Sequence, residues 1–322
     1  MSLTAAELPT RTQATVLAEP APAGIWTYTL RSRRVLIGGG ILLGILALCL
    51  LTLFWTLRPT SPLYYDFQDR SRLFETPGWA LRSWFGYDQL GRSILARCLL
   101  GGTISLAVGA AAATIAVVLG VGVGVLAGYR GGWVDSLLMR SVDILYGLPY
   151  VLLVILFKIA FEEPLARLLQ SPVAANLVVL FAAIGMVSWL TMARVVRGQV
   201  LSLRGQPFIE ACRALGVKER RIFARHILPN LIGPITVYAT LTVPSAILQE
   251  SFLSFLGVGV NPPLATWGSL ASEGVEQLTP LKFYWWMLLF PCALLAVTLL
   301  SLNFLGDGLR DVFDPKKEAA KI

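Results

Sequence analysis

A chain of 322 residues that is 56% apolar and 14% charged, with a mean hydropathy of +0.68, falls well short of the roughly 25% charged residues usual in soluble domains. That excludes a disordered chain, and the long unbroken apolar runs argue against an ordinary cytosolic enzyme. Four cysteines without a C-x-x-C pair exclude a disulfide scaffold or a zinc module, and the net charge of +8 must be tested against membrane topology before nucleic acid is considered.

In chain order, residues 1–34 form the first segment, rich in Ala, Pro and Thr and without periodicity, and read as a disordered cytoplasmic tail. A bilayer core needs about 20 apolar residues per helix. Charge-free windows of that size begin at 35–57, too long for a signal-peptide core and followed by no small-residue cleavage site. An outer loop, 58–97, carries Tyr64, Tyr65, Trp79, Trp84 and Tyr87, with six arginines set against Asp66, Asp69, Glu75 and Asp88. Further windows lie at 98–129, 168–193, 226–249 and 283–306, and a less clean one at 143–158 encloses Pro149. Pro234 and Pro244 are expected to interrupt the fifth span, as a break that could line a cavity or equally as a mere kink. The reading is an all-α polytopic membrane protein of about six transmembrane helices, its permeation core spanning 98–306 and a C-terminal tail spanning 307–322.

Lysine and arginine concentrate in the N-terminal segment, at Arg130 and Arg140, between Arg194 and Arg225, and in the C-terminal tail. An excess of basic residues on the inner side orients both termini to the cytoplasm and accounts for the +8 without nucleic acid. The largest inner loop is then 194–228. Pro207 suits the first turn of a helix and Gly216 the left-handed position after its last. Phe208, Ala211, Cys212 and Leu215 fall at i, i+3, i+4 and i+7 as one apolar stripe, with Glu210 and Arg213 on the other side. A second short helix is expected from Lys218 to Leu228. Spacing alone leaves two readings of the first helix, one lying on lipid headgroups and the other seated in a partner's groove.

Residues along nearly the whole chain, from about 33 to 315, carry a resemblance. Glu210-Ala211-Cys212, Gly216 four residues on, and His226-Ile227-Leu228-Pro229 resemble the EAA loop of bacterial ABC-importer permeases. Phe85-Gly86-Tyr87-Asp88-Gln89-Leu90-Gly91-Arg92, Ala127-Gly128-Tyr129-Arg130-Gly131-Gly132, Ser251 to Gly259 and Gly306 to Asp311 are similar to the C-subunit type of the dipeptide/oligopeptide permease family. Cys212 departs from the usual alanine and Tyr87 from a common threonine.

The resemblance implies a type I ABC-importer permease fold in the bacterial inner membrane. The chain would be one half of a peptide pathway, with a sister permease, two ATPase subunits and an extracytoplasmic substrate-binding protein as partners. It implies no enzyme activity, cofactor or metal, in keeping with the lack of a G-x-x-x-x-G-K-[ST] phosphate loop in the sequence. Phe208, Ala211, Cys212 and Leu215 would seat in a groove on one ATPase, Glu210 and Arg213 would set register, and Gly216 would turn the chain back. Related machines carry nickel chelates, glutathione or sugars. An intramembrane enzyme is the distant alternative, and the single histidine, His226, lies inside the loop motif. Glu250, an ionisable group within a span, is expected to face the translocation path or to pair with a partner subunit's arginine. The outer segment 258–282 reads equally as a docking surface or as an interfacial aromatic belt with Trp267, Trp285 and Trp286.

Overall fold

The computed structural model describes residues 32–279 and 282–313. The expected N-terminal tail therefore lies outside the described residues except for 32–34, where Arg33 already opens the first helix. Ten helices follow in order: α1 (Arg33–Leu57), α2 (Ile94–Arg130), α3 (Gly132–Tyr146), α4 (Tyr150–Leu169), α5 (Pro172–Arg204), α6 (Pro207–Ala214), α7 (Glu219–Ile222), α8 (Leu228–Phe255), α9 (Trp267–Glu276) and α10 (Trp285–Phe313). A two-residue hairpin precedes α10, with Leu278 opposite Phe283 and Thr279 opposite Lys282.

Counting α7 and α8 as one helical path, five spans pass alone as long and apolar enough to cross a membrane, and α3 with α4 passes as a pair bent by 94°. Six crossings result if that pair is one span. The bend has a local cause. Leu148 precedes Pro149, whose ring pushes it out of the helical region, and Pro149 itself offers no N–H to continue the ladder. Pro234 and Pro244, which allowed a break or a mere kink, both sit inside a continuous α8. Embedded helices tolerate such prolines where neighbouring helices and hydroxyl side chains accommodate the freed backbone groups.

α2 and α5 form the spine. Gly120, Gly124 and Gly128 make a ridge on α2 that lets α5 approach closely. A Cβ on Gly124 would lie 2.6 Å from the Ala193 carbonyl oxygen, and one on Gly128 2.9 Å from Val200 Cβ. Around this spine one apolar cluster joins Leu100, Ile104 and Val108 to Leu180, Ile184 and Leu253, and a second joins Met192, Val196 and Val200 to Ile209, Ile222 and Ile227. Burying a large aliphatic side chain of this kind contributes about 1.5–3 kcal/mol.

Alternation of the helices defines two ends. The loop end holds residues 58–93 and α9, and the basic end holds α6, α7 and the termini of α2 and α5. At the loop end α2 begins four residues before the expected window because Arg97, the charge that seemed to stop it, is neutralised within the fold. Asp88, fully buried, accepts from the backbone N–H groups of Leu90 and Arg92 at 2.8 and 2.9 Å. It also accepts from Arg92 Nε at 2.7 Å and Arg97 Nη1 at 2.9 Å. Arg97 forks onto Glu273 of α9 at 2.5 and 2.8 Å. The Trp267 indole N–H donates to the Cys98 carbonyl at 2.9 Å, and Trp267 and Trp286 are both buried. An interfacial belt reading is therefore corrected for those two rings, which are packed inside their own chain.

Candidate coupling surface

At the basic end α5 runs eleven residues past Ala193, so the expected inner loop begins as helix. Its arginines brace neighbours. Arg194 pairs with Asp143 at 2.8 Å, and Arg197 forks onto Asp135 at 2.5 Å. Arg204 Nη1 donates to the Gly128 and Tyr129 carbonyls at 2.9 and 3.0 Å, satisfying acceptors that the end of α2 leaves open.

α6 follows after Gly205 and Gln206, with Pro207 in its first turn. It ends in a Schellman turn. Gly216 takes φ +73°, its N–H donates to the Arg213 carbonyl at 2.9 Å, and the Val217 N–H donates to Cys212 at 3.0 Å. A β-branched residue at that φ is strained regardless of space. Arg213 Nε donates to Glu219 Oε1 at 2.8 Å, and the Tyr129 hydroxyl donates to Glu219 Oε2 at 2.9 Å. Glu219 raises the Arg213 guanidinium above its ordinary range, chiefly through this hydrogen bond, so the pair remains ionised.

The single apolar stripe expected on α6 is corrected. The structure shows two. Cys212 turns inward beside Ile209, which is fully buried against Ile222 and Ile227, and its sulfur lies 3.9 Å from His226 Nε2. Phe208, Ala211 and Leu215 turn outward, Phe208 at 44% and Leu215 at 82% exposure, with Glu210 also exposed. Arg213 is occupied as a brace to Glu219 and not as a free rim charge. Ile209 was missed because α6 carries apolar residues on two adjacent rows, 208/211/215 and 209/212, and periodicity read from Phe208 merges them. The second short helix is four residues of α7 and a π turn, Phe223–Ile227, running directly into α8.

Glu250 is enclosed by its own chain at 0% exposure. Oε1 accepts from Ser254 Oγ at 2.6 Å, and Oε2 has no hydrogen-bond partner among the described residues. The carboxylate expected to face the translocation path or a partner subunit's arginine is thus buried within this chain. Among the described residues no group of three or more metal-ligating side chains occurs.

α6 thus presents an outward apolar face while its inner row packs against the cluster of Val200, Ile222 and Ile227. Residues 120–319 match the family described as the binding-protein-dependent transport system inner membrane component. The chain belongs to that family. It is 46% identical over 285 residues to the oligopeptide transport system permease protein OppC of Escherichia coli (strain K12), covering 88% of this chain and 89% of that one. It is 45% identical over 233 residues to the dipeptide transport system permease protein DppC of Bacillus subtilis (strain 168), covering 72% of this chain and 68% of the relative. Among solved structures, the MetNI methionine ABC transporter in an inward-facing conformation aligns with a TM-score of 0.52 at 21% identity, covering 68% of this chain and 97% of that one. That likeness establishes the ABC-importer permease fold. The chain is thus a multi-pass inner-membrane transport subunit.

Proposed function

We propose that this permease is one half of a di- or oligopeptide import pathway, driven by two ATPase subunits, one of which docks on α6. A sister permease supplies the other half, and a substrate-binding protein delivers cargo on the extracytoplasmic face. Both termini and α6 lie in the cytoplasm in this reading, which the basic residues at that end support. The subunit itself performs no chemistry.

The observation that carries the reading is the division of labour on α6. Phe208, Ala211, Leu215 and Glu210 are left for a partner, while Ile209 and Cys212 key the helix into the cluster of Val200, Ile222 and Ile227. A push on the outer face then moves the ends of α5 and α8 as a unit, because the inner face has no slack to absorb it. Gly216 and the Arg213–Glu219 brace fix the return path. Peptide cargo is supported by the oligopeptide and dipeptide permeases that the chain resembles over most of its length.

The test is ATP-driven uptake in proteoliposomes holding the complete transporter. A labelled tripeptide should accumulate and compete only with other peptides. Accumulation of a nickel chelate, glutathione or a sugar in its place would retain the machine and refute the cargo.

A further inference from the structure

α2 has two faces near the basic end. One carries the glycine ridge against α5. The other exposes Val118 at 66% and Leu126 at 45%, with Gly122 between them at helical spacing. A Cβ added to Gly122 would meet nothing within 4 Å. Here an open groove of about 380 Å³ is lined by Gly122, Val125, Leu126, Tyr129, Arg130 and Phe223. Apart from Tyr129 and Arg130 the lining is apolar, and Arg130 has no acidic partner among the described residues.

The charge around the mouth is one-sided. Arg204 stacks 5.8 Å from the Tyr129 ring centre, and Arg213 reaches Glu219 beside the same tyrosine. Arg130, Arg204 and Arg213 thus outnumber the two carboxylates, Glu219 and Glu210, which both act on Arg213. The distances suit a lipid. Eight residues of helix separate Gly122 from Arg130, a rise of about 12 Å, the depth from a headgroup phosphate into the acyl region.

We infer that this groove binds one anionic glycerophospholipid, its phosphate at Arg130 and an acyl chain along Gly122 and Leu126 between α2 and Phe223. Basic pockets between membrane helices at the headgroup level hold anionic lipids by this combination of charge and apolar wall. The bound lipid packs against the π turn that joins α6 and α7 to α8, and so lies beside the segment through which motion is proposed to enter. Lipid binding does not rest on the cargo or on the orientation, which only names the leaflet.

The complete transporter, purified in phosphatidylcholine-containing micelles and titrated with phosphatidylglycerol, is examined by native mass spectrometry. Wild type should retain phosphatidylglycerol about five-fold over phosphatidylcholine. Arg130→Gln should bring the two lipids to parity, and Gly122→Leu, which fills the groove without a clash, should abolish retention of either. Assembly with the partner subunits, read in the same spectra, should be unchanged in both variants. Equal retention of the two lipids by wild type would overturn the site. So would full phosphatidylglycerol retention in Gly122→Leu, which would place the lipid elsewhere. Loss of a protein subunit in place of lipid from that variant would show that a protein covers the groove.

Discussion

The two ends of the molecule solve their charge in opposite ways. At the loop end, Asp88, Arg92, Arg97 and Glu273 form a buried network that ties residues 58–93 and α9 to the start of α2. At the basic end the ion pairs are exposed or half-exposed, Arg213–Glu219 and Arg194–Asp143 among them, and α6 presents an apolar face to the outside. The first end closes its charges within its own chain. The second packs the inner row of α6 against its own core and leaves the outer row exposed.

The sharpest way to break the contrast is at the loop end. Asp88→Ala leaves Arg92 and Arg97 buried without their central acceptor, and removing one member of a buried pair costs about 3–5 kcal/mol. Thermal unfolding of the purified protein should show a large fall in Tm or no folded protein at all. An unchanged Tm would mean that water, not the network, satisfies those arginines.

Within α6 the two stripes predict different losses. Ile209→Ala removes a fully buried side chain and should cost about 2–5 kcal/mol, read as a lower Tm. Gly216→Val forces a β-branched residue into φ +73°, a strain of about 1–2 kcal/mol. Its expected signature is uptake reduced at least tenfold at normal membrane levels, since the return path shifts before the bundle melts. Smallest is Arg213→Ala. An exposed pair is worth about 0–1 kcal/mol, so Tm should hardly move, and any larger drop would give the brace a structural weight that its exposure does not suggest.

Much of this architecture was legible in the sequence because bilayer-length apolar runs are a coarse, strong signal. Pro207 and Gly216 bounded α6 correctly, each for a backbone reason that needs no tertiary context. What stayed hidden were pairings across the chain. Arg97 looked like the end of a loop because its partner Glu273 lies 176 residues away. Glu250 looked functional because a charge in a span usually is, yet nothing local reveals that Ser254 and the surrounding helices enclose it. The two rows of α6 are adjacent on a helix of eight residues, and only the core behind it decides which row faces out. The bend between α3 and α4 was signalled by Pro149, whereas Pro234 and Pro244 gave the same signal without a break.

The central claim is that the outward row of α6 receives the ATPase. Leu215→Asp tests it most directly, because Leu215 is 82% exposed and touches little of its own chain. The measurement is ATP-driven peptide uptake by the reconstituted transporter, taken beside Tm and recovery of the ATPase subunits. The account predicts an unchanged Tm, within the about 0.5 kcal/mol typical of surface substitutions, with uptake lost and the ATPase subunits released or uncoupled. Wild-type uptake in Leu215→Asp, at normal assembly, would contradict it.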